Sequence, residues 1–268
     1  MYRLAAFDVD GTLLKSDSSL SEATHQALKT MKESGIEIVI SSGRPLPGVE
    51  LIQDLVGKDL VRYLSSFNGG RIVDTWSDNQ VIFEAVLPPA EVGEICDFLA
   101  DYDVDINTYD DHNVLGLKEP NHQYMAHEAQ LTGMPIKIEN FVENETKVNK
   151  LMVTGDPAYL ETVRQDLPED WFKRWNIVKS APYFLEFNPV DANKGAGLAH
   201  LSQEIGVDQE QTMAFGDQEN DLTMIEWAGL GVAMGNAVAS VKAVADFVTH
   251  TNDEEGISHV VDQFIIKD

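Results

Sequence analysis

What most constrains this chain is the alternation, at both of its ends, of short apolar runs with segments of helical period. Residues 3–7 turn apolar after Arg3 and stop at carboxylates, which suits a buried strand entering a polar loop. Ser21 offers an N-cap, Ala23, Ala27, Leu28 and Met31 recur at helical spacing, and Gly35 can close the helix in a left-handed turn. Residues 36–40 form a β-branched run, the second buried strand. Strand, helix, strand is a βαβ unit, and its right-handed crossover lays the strands parallel with both following loops at one carboxyl edge. The rhythm returns at Lys194, with a helix to about Ile205, a strand over 212–215, a helix over 221–227 and a strand over 230–233.

Between these ends the pattern changes. A strand near 61–65 precedes a hairpin over 71–86 that turns around Ser77, Asp78 and Asn79. A helix near 90–100 then precedes strands at 104–109 and 114–117, and a helix near 158–166 precedes strands at 172–178 and 183–187. Helix, strand, strand thus occurs twice, which predicts a small α+β unit with an approximate internal repeat. The expected fold is α/β: a Rossmann-like parallel sheet core built from 1–83 and 188–268, with an α+β cap inserted over 84–187. Asn188 and Pro189 mark the second crossing.

The 268 residues carry 45 acidic against 19 basic side chains, a net charge of −26, which excludes nucleic-acid binding through a broad basic surface. Apolar residues at 43% suffice for a real core, and the length accommodates two domains. Cys96 stands alone, so no intrachain disulfide and no Cys-based zinc site can form. No run of roughly 18 apolar residues and no secretion-type start occur, so no membrane partner is expected and the expected location is cytoplasmic.

The strongest chemical signal is Asp8-Val9-Asp10-Gly11-Thr12 at the end of the first strand. Residues i and i+2 of a strand share a face, so both carboxylates can meet at one spot while Gly11 turns the chain away. Carboxylates forced together need a cation, a shared proton or both, and a hard ion such as Mg²⁺ suits an all-oxygen site that receives a phosphate. Gly216-Asp217-Gln218-Glu219-Asn220-Asp221 again follows a strand and precedes a helix, so Asp217 can complete a metal site if its strand lies near the first. Ser42 and Gly43 offer a hydroxyl and backbone N–H groups, and Lys194 adds a mobile cation at a helix start. Ser42, next to Gly43, is preferred over Ser41, whose side chain would face the opposite way. Arg44 either approaches the substrate or lies on the surface.

Asp8-Val9-Asp10-Gly11-Thr12, Ser42-Gly43-Arg44, Asn193-Lys194-Gly195 and Gly216-Asp217-Gln218-Glu219-Asn220-Asp221 occur in the order seen in haloacid dehalogenase-like phosphatases, and the large insertion resembles their Cof-type, class IIB sugar-phosphatase branch. The resemblance implies that Asp8 attacks phosphorus to form an aspartyl phosphate and that Asp10 is the general acid and base. It further implies phosphate contacts from Val9, Ser42, Gly43, Lys194 and Asn220, and Mg²⁺ held by Asp8, Asp217 and the backbone carbonyl of Asp10, with Asp221 behind these ligands. The implied substrate is a small phosphorylated metabolite. A phosphomutase or phosphotransferase would share the intermediate, while a receiver-like signalling module would lack both the insertion and a built-in acid at Asp10.

The remaining polar landmarks are expected to be structural. Asp110-Asp111-His112 reads as a solvated turn, His122 and His127 as surface residues, and Cys96 as a small buried hydrophobe. Asn144-Glu145-Thr146 is an inert sequon, and Trp171 and Trp175 pack within the inserted unit. Glu186 either faces the site or is a surface acid.

Overall fold

A computed structural model of the chain describes residues 1–266. Two compact units emerge, one formed by Met1–Phe83 with the chain from Asn193 onward, the other by Glu84–Ala192.

The first unit opens with β1 (Leu4–Phe7), α1 (Glu22–Glu33), β2 (Glu37–Ser41), α2 (Leu46–Val56), β3 (Val61–Ser66), β4 (Arg71–Asp74) and β5 (Gln80–Glu84). Glu84–Ala192 contributes α3 (Pro89–Leu99), β6 (Asp105–Tyr109), β7 (Val114–Gly116), α4 (Tyr124–Thr132), β8 (Ile136–Ile138), β9 (Leu151–Thr154), α5 (Pro157–Asp166), α6 (Trp171–Arg174), β10 (Trp175–Ala181) and β11 (Phe184–Pro189). The first unit then resumes with α7 (Lys194–Glu204), β12 (Thr212–Gly216), α8 (Leu222–Trp227), β13 (Leu230–Ala233), α9 (Ala239–Val244), β14 (Phe247–Val248) and α10 (Gly256–Phe264).

Its sheet runs β14-β13-β12-β1-β2-β3-β4-β5, parallel from β14 to β3 and antiparallel between β3 and β4. Ala5 and Phe7 belong to the core shared with Ala27, Leu28 and Met31 of α1, Val49 and Ile52 of α2, and Val260 of α10. Leu4 and Ala6 join the opposite core with Leu198 and Leu201 of α7 and Met224 of α8. Helices on both faces are why β1 and β2 read as nearly continuous apolar runs rather than as an alternation. Each large apolar side chain so buried stabilises the fold by roughly 1.5–3 kcal/mol, and Phe7 stacks on Phe215 of the neighbouring strand at 4.5 Å between centroids. Phe7 is level with both Ile40 and Phe215, so the loops after β1, β2 and β12 leave the sheet at one edge.

Helix α1 starts as the sequence predicts, with the Ser21 side chain accepting from the Thr24 N–H. Helix α2 has no counterpart in the sequence reading. Its opening residues Leu46-Pro47-Gly48 look like a breaker, yet proline is tolerated in a first helical turn whose N–H groups are unpaired in any case. Asp78 and Asn79 make the expected turn between β4 and β5, both with φ of 54°. More unusual is the link from β3 to β4, where Phe67 (φ 52°) and Asn68 (φ 54°) lie in the left-handed region directly before Gly69 (φ 88°). Such conformations cost on the order of 1–3 kcal/mol for each non-glycine residue.

The inserted unit has its own sheet, β10-β11-β9-β6-β7-β8, and its own core around Trp171, Trp175 and Phe187. The two helix–strand–strand segments supply the antiparallel pairs β6–β7 and β10–β11, with β9 lying antiparallel between them. The strand expected over 172–178 begins only at Trp175. Residues 171–174 form a single turn of helix, nucleated by the Trp171 N–H on the Pro168 carbonyl and the Arg174 N–H on that of Asp170. In a strand the two tryptophans would stand about 13 Å apart; the turn brings their rings edge to face at 4.8 Å. Strand β11 runs through Asn188, paired with Asn176, to Pro189, so the second crossing falls at Ala192–Asn193 rather than at 187–188.

Asp110 accepts from the backbone N–H groups of His112 and Asn113, which makes the expected turn. Cys96 is buried, as expected. His127 is not a free surface residue: it is half-buried, 3.2 Å from the Tyr183 hydroxyl. Glu186 is 4% exposed and pairs with Lys150 and Ser180, so it is no surface acid. No helix among the described residues is long and apolar enough to cross a membrane.

Candidate active site

Three loops at the carboxyl edge of the first unit's sheet bring the strongest sequence signals together. Asp8 follows β1, Asp217 and Asp221 follow β12, and the carboxylates of all three offer oxygens within 4.8 Å of one another. Lys194, 1% exposed at the first position of α7, reaches this cluster from the far side of the insertion. Its Nζ lies 2.5 Å from Asp8 Oδ1 and 2.6 Å from Asp221 Oδ1. Asn193 caps the helix by accepting from the Ala196 N–H, which fixes where Lys194 emerges.

Asp221 uses its second oxygen to accept from the backbone N–H groups of Asp217 and Gln218, at 2.9 and 3.0 Å. Its carboxylate is therefore committed to shaping the loop and holding Lys194. Asp217 accepts from the Thr12 hydroxyl at 3.1 Å and from the Gln218 amide at 3.2 Å. The Asn236 amide donates to the Gly11 carbonyl at 2.8 Å, with a longer contact of 3.4 Å to Asp217. Gly11 has φ of 82°, and a Cβ there would lie 2.6 Å from Asp217 Oδ2, so both the turn and the close approach require glycine.

Electrostatics set the tone of the cluster. Burial pushes the Asp8 carboxyl up, Lys194 pulls it down, and the neighbouring Asp221 and Asp217 tip the balance to about 7. Asp217 is likewise raised, by burial first and then by Asp221. Burial alone would lower the Lys194 ammonium, but Asp221 and Asp8 outweigh it and keep the lysine charged. Buried hard oxygen donors this close, with two of their carboxyls raised, form a donor set that fits a divalent cation such as Mg²⁺.

The other predicted residues fall around this centre in different ways. Ser42 is buried, with its hydroxyl 3.3 Å from the Arg44 N–H, whereas the Ser41 hydroxyl turns to Ser65. Val9 is fully buried in the apolar core, which leaves only its backbone for contact with an anion. Asn220 is exposed and donates to the Asn68 side chain at 3.1 Å. Asp10 does not converge with Asp8. Strand β1 ends at Phe7, so the shared-face geometry of a strand does not extend to these two residues, and the Asp10 carboxylate, 65% exposed, takes both oxygens to Arg44 Nη2 at 2.9 and 3.1 Å. Thr12, Asn68 and Asn236 carry no role in the sequence reading. Asn236 was within reach of the rule that placed Asp217, because it follows the parallel strand β13 at the same edge.

The family profile of haloacid dehalogenase-like hydrolases matches residues 5–261. The 5-amino-6-(5-phospho-D-ribitylamino)uracil phosphatase YitU of Bacillus subtilis is 30% identical, over 97% of both chains. A haloacid dehalogenase-like hydrolase from Bacteroides thetaiotaomicron superposes with a TM-score of 0.88 at 33% identity, covering 99% of this chain and all of its own. A sugar phosphatase of haloacid dehalogenase subclass IIB superposes with a TM-score of 0.80 at 26% identity, over 98% of each chain. Four motifs in order, an α/β core with its insertion and full-length similarity agree, and the chain belongs to the haloacid dehalogenase-like hydrolases, as a phosphatase of the Cof-type, class IIB branch.

Proposed function

We propose that this phosphatase is a Mg²⁺-dependent phosphomonoesterase of small phosphorylated metabolites, sugar phosphates foremost, working through an aspartyl phosphate on Asp8. The observation that carries the reading is the convergence of Lys194 on Asp8 and Asp221 beside Asp217, a buried cluster able to receive an anion and a cation together. An Asp8 oxygen attacks phosphorus, the bond from phosphorus to the leaving oxygen breaks, and Asp10, its protonated carboxyl turned from Arg44 to the bound substrate, gives that oxygen a proton. Water then attacks the aspartyl phosphate, Asp10 takes its proton, and phosphate departs as the acyl–phosphate bond breaks. Ser42, Gly43, Lys194, Asn220 and the backbone at Val9 hold the phosphoryl oxygens. Asp8, Asp217 and the Asp10 carbonyl would hold Mg²⁺, which supplies charge neutralisation at the phosphoryl group. Asp221 keeps Lys194 and the Asp217 loop in place.

In this reading the inserted unit selects the substrate by contacting its organic part, and the enzyme acts in the cytoplasm. Two observations support the substrate class: a relative named for a ribitylaminouracil phosphate and a structural neighbour that is a sugar phosphatase. The test is phosphate release from a panel of phosphorylated metabolites with and without chelator. Turnover that chelator abolishes and Mg²⁺ restores is the expected result. Full activity in excess chelator would reject the metal, and no hydrolysis of any sugar phosphate would reject the substrate class.

A further inference from the structure

The link between β3 and β4 is strained, with Phe67 buried and Gly69 packed closely on the start of α7. Two consecutive non-glycine residues, Phe67 and Asn68, adopt the left-handed conformation. Their backbone N–H groups are spent on the loop after β2: that of Phe67 on the Arg44 carbonyl at 3.0 Å, that of Asn68 on the Ser42 carbonyl at 2.9 Å. The consequence is a side chain delivered to the phosphate-handling loops. A Cβ on Gly43 would lie 3.1 Å from both the Oδ1 and the Nδ2 of Asn68, and Asn68 Oδ1 accepts from Asn220 Nδ2 at 3.1 Å. The Asn68 carboxamide therefore stands between the second and fourth motifs, touching one and leaving the other only the room of a glycine. Because its oxygen is engaged by Asn220, its Nδ2–H groups are the part available to an anion.

We propose that Asn68 is a phosphate-binding residue: its carboxamide donates from Nδ2 to the phosphoryl group and, through Oδ1, sets the orientation of Asn220. The hydrogen bonds from the Phe67 and Asn68 N–H groups to the loop after β2 hold it there against the backbone strain. The inference rests on the phosphatase mechanism proposed above and extends it to a loop outside the four motifs.

The experiment uses the full chain with Mg²⁺ and two variants. Asn68→Gly keeps the left-handed backbone and removes only the carboxamide, while Asn68→Asp keeps its shape and replaces the donor by a negative charge. Three quantities are read: the melting temperature, the Kd of inorganic phosphate by calorimetry, and kcat/KM for both p-nitrophenyl phosphate and glucose 6-phosphate. Asn68→Gly should melt at or above the wild-type temperature, yet bind phosphate about tenfold more weakly and lose about tenfold in kcat/KM on both substrates, as expected for one lost hydrogen bond to a charged group. Asn68→Asp should lose more on every binding and rate measure, because its charge repels the anion. A Kd and kcat/KM within twofold of wild type in Asn68→Gly would overturn the assignment, as would a loss confined to one substrate. A melting temperature several degrees below wild type would also overturn it, because the side chain would then serve packing. Asp8→Asn, run in parallel, separates the two readings: wild-type turnover in that variant would reject the mechanism itself, whereas a dead Asp8→Asn beside an undisturbed Asn68→Gly would reject this inference alone.

Discussion

Each carboxylate of the cluster has a different set of partners, and those partners predict different failures. Asp8→Asn preserves the shape of the turn, so the variant should fold normally and lose about a thousandfold or more in turnover if its carboxylate is the nucleophile. Activity within tenfold of wild type would exclude Asp8 as the attacking group. Asp221 sits one layer deeper, where its two oxygens serve Lys194 and two backbone amides. Asp221→Ala leaves the buried Lys194 with Asp8 as its remaining direct ion-pair partner among the described residues and should cost about 3 kcal/mol of stability, read by urea unfolding; a loss below ~1 kcal/mol would show that Lys194 does not need Asp221. Cys96 offers a control of burial. Burial, with some help from Asp97, pushes its thiol up to about 12, so at pH 8 almost no thiolate exists and iodoacetamide should leave the native protein unlabelled. Rapid labelling without unfolding would show that this part of α3 opens locally.

Secondary-structure elements place these groups, and their ends carry much of the energy. Asp74 closes β4, accepting from Arg62 at 2.7 and 3.1 Å, from the Trp76 N–H and from the Ser77 hydroxyl. Burial raises its carboxyl, but Arg62, Ser77 and the Trp76 N–H outweigh burial and hold it below its ordinary value. A carboxyl lowered in the folded state stabilises above its unfolded pKa, and that contribution disappears as pH falls through the folded one. Asp74→Ala should therefore cost about 2 kcal/mol at pH 7, with Arg62 a third exposed and the ion pair partly screened. The difference from wild type should shrink as pH drops below ~4, and a pH-independent difference would assign the effect to packing instead. Much at this scale was legible beforehand. Strands β1, β2, β12 and β13 are short β-branched or apolar runs, and α1 carries both its cap and its stripe. Helix α2 was hidden by a proline and a glycine in its first turn, and α6 by an aromatic-rich stretch, residues 171–175, that reads as a strand until its backbone hydrogen bonds to Pro168 and Asp170 and the contact of its two tryptophan rings are seen.

At the scale of the whole chain, the four motifs and the buried cluster of Asp8, Asp217, Asp221 and Lys194 lie in the unit formed by both ends, and Glu84–Ala192 has a sheet and a core of its own. If the inserted unit reads the organic part of the substrate, alanine substitutions in it should reorder kcat/KM among sugar phosphates and spare p-nitrophenyl phosphate. Equal losses on both kinds of substrate would refute that division. Local sequence by itself determined the βα rhythm, the place of the insertion and the carboxylates, serine and lysine at the ends of elements, because periodicity, capping and turn chemistry act over a few residues. It could not determine strand order, and that order, β12-β1-β2, is what sets Asp217 beside Asp8 and brings Ser42 to the same edge. The end of β1 at Phe7 was legible, but not that Asp10 beyond it would turn to Arg44, or that Lys150 would claim Glu186 inside the inserted unit. Asn68 belongs with these. Its position beside Gly43 and Asn220 depends on hydrogen bonds to a loop more than twenty residues away and to another more than a hundred and fifty residues away, contacts that exist only once the sheet has assembled.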